Sequence, residues 1–271
     1  TRDGIITTLG RGGSDYSAAL FGAYVDSDEV WIWTDVDGVM TADPRVVPDA
    51  KVIPVLSYGE VGEMAYFGAK VLHSKTVQPL VERDIPVWVK NTFNPTFPGT
   101  LITNREETSP GAVKAVTAIR DVSMVTVAGR GMMGIPGIAA RTFAAVARQN
   151  ANILMITQSS SEQSICFVIP ESLSKTVQAA IEEEFAIEIS RQDIEHAWAN
   201  DDIEIVTVVG AGMLTTSGVA ARVFGALGNA NVNMLAIAHG ASNYCLSMVI
   251  ESNTTETAVR NIHELVVLNG H

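Results

Sequence analysis

Cysteine is almost missing from this 271-residue chain: Cys166 and Cys245 are the only two. Two thiols cannot build a disulfide framework, which excludes the stapled secreted folds and predicts a cytoplasmic protein in a reducing compartment. Positive charge is scarce as well. Eighteen Lys and Arg face 30 Asp and Glu, a formal net charge of −12. No basic cluster is present to neutralise phosphates, so nucleic acid is excluded as a partner. No run of about 18 apolar residues occurs, so no membrane-spanning helix is predicted. The long uncharged stretch from Val223 to Ile250 is broken by Gly225, Gly228, Gly240 and four Asn, as in a packed domain. Catalytic signatures are missing too. There is no Gly-Lys-Ser/Thr, hence no P-loop. The five His have no metal-ligand spacing, so no protein metal site is assigned, and no Ser/His/Asp or Cys/His constellation emerges. Cys166 and Cys245 fall in apolar strand patterns and read as inert core thiols.

What is present fits a globular protein of two or three domains, with 47% hydrophobic and 18% charged residues. The chain opens Thr1-Arg2-Asp3-Gly4 and enters a strand pattern, Gly4 to Leu9, with no initiator Met. From there strand and helix patterns alternate: a helix over Ser14 to Val25, a strand over Val30 to Thr34, one or two helices over Glu60 to Val81, a strand over Val87 to Val89. Such alternation predicts an α/β sheet with crossovers. Between Asn91 and Gly111 the composition shifts to Asn, Thr, Pro and Gly, which reads as a boundary region.

An internal repeat follows. Shifting the chain by 81 residues aligns Val125–Ile169 with Val206–Ile250 without a gap, and 19 of the 45 positions are identical. Chance would give about three. The shared frame is Val-Thr-Val-x-Gly-x-Gly-Met, then Gly-x-Ala-Ala-Arg-x-Phe, then Asn-x-Asn. Each copy reads strand, Gly-rich loop, helix, strand, turn, strand. The turn is Gln158-Ser159-Ser160-Ser161-Glu162 in the first copy and His239-Gly240-Ala241-Ser242-Asn243 in the second.

Several polar clusters could carry chemistry. Thr8-Leu9-Gly10-Arg11-Gly12-Gly13-Ser14-Asp15 lies between a strand and a helix, where converging N–H groups and the helix start can hold an anion. It reads equally as a tight turn in which Ser14 or Asp15 caps the helix. A dinucleotide fingerprint fails because Asp15 stands where the third glycine belongs, although Asp35 sits at the ribose-acid position. This leaves a dinucleotide oxidoreductase as a disfavoured alternative. Thr34-Asp35-Val36-Asp37-Gly38 and Asp43-Pro44-Arg45 place carboxylates and a guanidinium after a strand, which suits a metal–phosphate group or a plain solvated turn. Lys70 is a lone charge in an otherwise apolar helical stretch, either snorkelling or facing a phosphate. In the repeat, Gly129 to Ala139 and Asn150 to Gln158 combine a Gly-Pro loop, a helix start and polar side chains, a setting for a small zwitterion or simple duplication of turns.

Taken together, the strings at 8–15, Trp33-Thr34-Asp35-Val36-Asp37-Gly38, Asp43-Pro44-Arg45, Phe67-Gly68-Ala69-Lys70-Val71-Leu72-His73 and Phe97-Pro98-Gly99-Thr100 resemble the aspartate kinases of the amino-acid-kinase family. The 81-residue repeat resembles their tandem ACT domains. The resemblance implies an α/β protein: a partial amino-acid-kinase α/β sandwich over 1–112, then two ferredoxin-like (βαββαβ) ACT domains over 113–271. ACT1 would span about 122–199, and ACT2 about 113–121 plus 200–271. It implies phosphoryl transfer from ATP, with Mg²⁺, to the β-carboxylate of L-aspartate. Arg11 would hold the aspartate α-carboxylate, with Gly12, Gly13 and Ser14 lining that pocket and Asp15 organising the catalytic group. Thr34, Asp35, Met40, Arg45 and Lys70 would bind the nucleotide, Met40 standing where the family often has tyrosine. Pro136, Gly137, Ile138, Ala139, Asn152, Ile153 and Gln158 would form the effector pocket, for threonine by the Gln158–Glu162 string or else for lysine. A homodimer through the ACT domains is implied. The family's opening Lys-Phe-Gly-Gly-type strand and its upstream Glu are not among these residues, so the chain alone is expected not to turn over. A regulatory amino-acid-binding subunit is the alternative reading.

Overall fold

The computed structural model describes residues 12–69, 72, 74–107, 109, 111–159, 161–240 and 242–268. Arg11, Lys70, His73 and the strand expected over Gly4 to Leu9 lie outside them. Two sheets organise the chain.

The first unit carries α1 (Gly13–Tyr24), β1 (Val30–Thr34), β2 (Val55–Ser57), α2 (Tyr58–Tyr66), α3 (Ser74–Val81), β3 (Val87–Asn91) and β4 (Thr100–Thr103). Its four strands run in the order β1-β3-β4-β2, with β1 and β3 parallel from Val30↔Val87 to Thr34↔Asn91. β1 alternates as a half-buried strand must: Val30 and Ile32 point into the core, Trp31 and Trp33 outward. Leu56, Leu80, Val87, Val89 and Ile102 fill the core beneath the helices. Gly22 lets α1 lie directly on the sheet, because a Cβ there would come within 2.4 Å of the Val30 side chain.

The second unit holds β5 (Ala115–Ala128), α4 (Ile138–Arg148), β6 (Met155–Gln158), β7 (Ser164–Pro170), α5 (Ser174–Glu184), α6 (Ala186–Ser190), β8 (His196–Val209), α7 (Val219–Asn229), β9 (Met234–Ala238), β10 (Cys245–Glu251) and α8 (Thr255–Ile262), the last continuing as π-helix to Leu268. The six strands form one antiparallel sheet, β6-β7-β5-β8-β10-β9. The 81-residue period reappears in space: α4 and α7, and β7 and β10, are offset by that interval. Two 14-residue strands join the copies. The first half of β5 pairs with the second half of β8 (Ala115↔Val209), and its second half pairs with β7 and with the start of β8 (Ala128↔Ser164, Ala128↔His196).

Helices cover one face of this sheet, over Val125, Val127, Phe167 and Ile169 in one copy and Val206, Val208, Leu246 and Met248 in the other. Residues of the opposite parity, among them Val122, Met155, Val168, Ile203, Ile205 and Val249, make a further apolar cluster on the other face. Phe67 of the first unit enters that cluster. The sheet curls so far that its two edge strands, β6 and β9, come within 8 Å of each other.

Two expectations are corrected. The Asn/Thr/Pro/Gly-rich stretch is not simply a boundary, because β4 lies inside it and pairs with both β2 and β3. The composition hid a four-residue strand between turns. Nor does one helix carry the Phe67–His73 string: α2 ends at Tyr66, and Gly68 takes φ +97°, which no helix accommodates.

Candidate functional site

The topology gathers the first set of candidates at one edge. α1 is about 18 Å long and β1 about 17 Å, and α1 returns through a short turn into β1, so the start of α1 and the end of β1 lie together. β3, parallel to β1, ends there as well. Gly12 is the N-cap of α1 at φ 73°, and no side chain caps the helix. Ser14 and Asp15 lie inside its first turn, with the Ser14 hydroxyl 3.3 Å from Asp15 Oδ1. Neither Ser14 nor Asp15 is the N-cap, and among the described residues no side chain caps the helix, a helix start that suits an anion.

Across from that turn, Thr34 closes β1 and its hydroxyl donates to Asp35 Oδ1 at 3.1 Å. Asp37 Oδ1 accepts from Asn91 Nδ2 at 2.9 Å and Asn94 Nδ2 at 3.1 Å, which fixes the loop after β1 to the end of β3. Asp35 remains exposed. A strand-end cluster of this kind suits a ligand held outside the carboxyl ends of parallel strands.

Met40 and Arg45 lie on the loop between β1 and β2, which follows Thr34 and Asp35. Met40 forms an isolated antiparallel bridge with Val52. Arg45 is gripped by Asp43, which accepts from Nη2 at 2.6 Å, from Nε at 3.0 Å and from the Arg45 backbone N–H at 2.9 Å. The hydrogen bonds from Arg45 hold the Asp43 carboxyl below its ordinary range and raise the guanidinium in turn. The loop bearing these residues docks on the second unit. Thr41 hydroxyl meets His263 Nε2 at 2.8 Å, Val116 N–H donates to Thr41 O, and Arg260 Nε donates to Val46 O. Ala42 and Val47 join the apolar cluster under α7 and α8.

In the first repeat, Pro136 and Gly137 are exposed at the start of α4, with Ile138 buried and Ala139 half-buried behind them. Gly137 is the N-cap at φ 94° and makes no side-chain cap. Gln158 ends β6 at the same edge, and the Gly134 N–H reaches Glu162 Oε2 at 3.2 Å, closing one loop on the other. Asn152 and Ile153 precede the start of β6, up to roughly 20 Å and 17 Å from Gln158 at strand rise. Within one chain these two do not meet Gln158.

The second copy uses its equivalent loop differently. Ser242 hydroxyl donates to Glu63 Oε1 at 2.7 Å, Tyr244 hydroxyl donates to Glu106, and the Tyr244 ring lies on Gly59. The His239 loop is therefore docked on α2. Sequence reasoning missed the centre of this junction, Glu60. A capping box, legible as Ser57-x-x-Glu60, aims the Glu60 carboxylate at Ser57 N and Oγ. Fully buried, it also accepts from Lys114 Nζ at 3.0 Å and Ala211 N at 2.8 Å.

Among the described residues no group of three His, Cys, Asp or Glu converges as a metal cage. A magnesium ion carried on nucleotide phosphates needs only one or two carboxylates, and Asp15, Asp35 and Asp37 fit that requirement. No helix of the described residues is long and apolar enough to cross a membrane.

Comparison with known proteins gives these features a context. The amino acid kinase family model matches residues 1–91, and an ACT domain model matches twice, over 125–185 and 206–265. The bifunctional aspartokinase/homoserine dehydrogenase of Haemophilus influenzae is 42% identical over 98% of this chain and 33% of its own length. Lysine-sensitive aspartokinase 3 of Escherichia coli is 36% identical over 96% of this chain and 57% of its own. Among solved structures, E. coli aspartokinase III in complex with aspartate and ADP (R-state) superposes with a TM-score of 0.79 at 34% identity, over 96% of this chain and 57% of that one. Aspartate kinase from Clostridium acetobutylicum does so with a TM-score of 0.88 at 28% identity, over 97% and 60%. The chain thus spans between a third and three fifths of the length of these relatives. An amino-acid-kinase segment continuous with two ACT domains, related along its whole length to aspartokinases, places this chain in the aspartate kinase family.

Proposed function

We propose that this chain supplies the nucleotide side and the regulatory pair of an aspartate kinase, which transfers the γ-phosphoryl of MgATP to the β-carboxylate of L-aspartate, giving 4-phospho-L-aspartate. The reading is carried by the return of α1 into β1, which turns the start of α1, with no described side-chain cap, toward the end at which parallel β1 and β3 finish. An anionic carboxylate must approach an anionic phosphate here, so catalysis rests on positioning and charge neutralisation. Gly12, Gly13 and Ser14 present backbone N–H groups and a hydroxyl, and Arg11 grips the substrate α-carboxylate through its planar fork. Asp15 orients the groups around the transferring phosphoryl. Thr34 and Asp35 meet the nucleotide, with Met40 and Arg45 on the adjoining loop and Lys70 supplying a further positive charge. Bound MgATP supplies the electrophilic phosphoryl group.

Residues 1–112 form the kinase part in this reading. ACT1 covers about 122–199, and ACT2 about 113–121 plus 200–271, a division supported by the pairing of 115–119 with 205–209. The effector is an amino acid, threonine before lysine, held by Pro136, Gly137, Ile138, Ala139 and Gln158. Asn152 and Ile153 join that site from a second copy, since within one chain they lie at the far end of β6. This favours a homodimer joined through the ACT units. The protein acts in the cytoplasm, in the biosynthesis of amino acids derived from aspartate. Acyl phosphate trapped as its hydroxamate by the protein bearing this chain, in the presence of MgATP and aspartate, supports the reading. Failure of nucleotide and threonine alike to bind refutes it.

A further inference from the structure

The residues assigned to the nucleotide, Thr34, Asp35, Met40, Arg45 and Lys70, offer hydroxyl, carboxylate, thioether and cationic groups, and none of them carries a ring. They suit phosphates and ribose hydroxyls, and they give the flat face of a nucleobase no aromatic partner. An aromatic side chain does stand beside them. Asn91, the last residue of β3, is paired with Thr34, the last of β1, and the following Thr92 N–H donates to Thr34 O at 2.9 Å. Phe93 comes next. By strand spacing and two Cα steps, no more than about 12 Å separates its Cα from that of Thr34.

Phe93 is 83% exposed and belongs to none of the four apolar clusters formed by the described residues. Singly exposed apolar residues are ordinary, but this one sits on a loop braced from both sides. Its own N–H donates to Asn91 Oδ1 at 2.9 Å, and Asn94 N–H donates to Asn91 O at 3.2 Å. Asp37, from the loop after β1, accepts from the side chains of both Asn91 and Asn94. On the far side, Lys90 Nζ donates to Pro98 O at 2.9 Å while lying 5.0 Å from the centre of the Trp31 ring. The loop closes through Gly99 at φ +88°, where a Cβ would run into the Val89 carbonyl oxygen. Phenylalanine has two side-chain torsions, so on a fixed backbone its ring loses little entropy when a ligand covers it. Trp33, exposed on β1, is engaged instead with the Trp31 ring at 5.9 Å and with Lys90.

We propose, on the reading that MgATP binds at this edge, that Phe93 stacks on its nucleobase while Thr34 and Asp35 meet the polar parts of the nucleotide. Stacking a base on an aromatic ring changes affinity by about five- to 150-fold, and every base has such a face. Phe93 therefore sets how tightly the nucleotide is held, and the choice of adenine falls to hydrogen-bonding groups. Asp37 is a positioning residue, because its two hydrogen bonds hold the turn that carries the ring.

Calorimetric titration of the chain with MgATP and with magnesium tripolyphosphate, which has the phosphates without the base, tests this without turnover. Phe93→Ala should weaken MgATP binding roughly tenfold and leave tripolyphosphate within about twofold, while Phe93→Tyr should hold MgATP within about threefold of the unmodified chain. The side chain is exposed, so both variants should unfold at the temperature of the unmodified chain. If the unmodified chain binds neither ligand, the nucleotide reading fails and the stacking with it. If MgATP binds and folded Phe93→Ala holds it as tightly as the unmodified chain, the stacking alone is overturned. It is overturned also if Phe93→Ala weakens both ligands equally, or if Phe93→Tyr loses MgATP as Phe93→Ala does.

Discussion

Glu60 and Lys114 form an ion pair of 3.0 Å across the junction of the two units, with their side chains 0% and 8% exposed. The pair fastens α2 to the approach of β5, while Ala211 N–H donates to the same Glu60 oxygen, Oε1, from the loop after β8. Removing one partner strands a buried charge, which costs about 3–5 kcal/mol, whereas removing both costs less. Lys114→Met should therefore lower the unfolding free energy by about that amount, and Glu60→Gln combined with Lys114→Met should recover more than 1 kcal/mol of it. Additive losses in denaturant titration would contradict a coupled pair.

His263 gives the junction a pH dependence. It is almost fully buried against Thr41, and burial, reinforced by the charge of Lys51 and opposed by Asp49, holds its pKa below the ordinary 6.5. The unfolded chain then takes up a proton that the folded one resists. The stabilisation is complete above about pH 6.5 and declines as pH falls below it. The Tm should drop from pH 7.5 to 5.5, and His263→Gln should flatten that part of the profile. An unchanged slope in the variant would remove His263 from the account.

The two copies of the repeat should respond unequally to truncation. Gln158 is exposed beside the Gly134–Glu162 contact, while the His239 loop is docked on α2 through Ser242 and Tyr244. Gln158→Ala is predicted to weaken threonine binding roughly tenfold, the loss of about one hydrogen bond to a charged group. His239→Ala should change it less than twofold. Equal losses by calorimetry would contradict this assignment.

Gly59 tests whether the docked loop transmits the effector signal. A Cβ at this position would lie 2.5 Å from the Tyr244 ring, so Gly59→Ala must displace the tyrosine, costing about 1–3 kcal/mol. Threonine affinity should survive in this variant, while inhibition by threonine weakens. Full inhibition at unchanged affinity would show that the signal takes another route.

Much of this architecture could be read from the residues. β1 and α1 follow directly from Val30–Thr34 and Ser14–Val25, and the 81-residue period foretold paired units whose helices and hairpins coincide. What escaped was short or non-local. β2 has three residues and β4 four, too few for any periodicity to register. The Glu60–Lys114 pair joins positions 54 residues apart, and Thr41–His263 joins positions 222 apart. The Ser57-x-x-Glu60 capping box was visible in sequence as a helix start, but nothing local indicates that its glutamate would be buried and shared with Ala211. The grip of Asp43 on Arg45 was hidden for a different reason: Asp43-Pro44-Arg45 is legible as a turn, yet sequence does not say whether the guanidinium faces a ligand or its neighbour.

Trapping of acyl phosphate by hydroxylamine tests the central claim most directly. The protein bearing this chain, given MgATP and L-aspartate, should form aspartyl hydroxamate, and threonine should suppress it. Asp15→Asn should reduce the rate by about 100-fold through lost transition-state organisation, and Arg45→Ala should raise the KM for ATP roughly tenfold. Hydroxamate formation that ignores aspartate, or that persists unchanged in Asp15→Asn, would contradict the account.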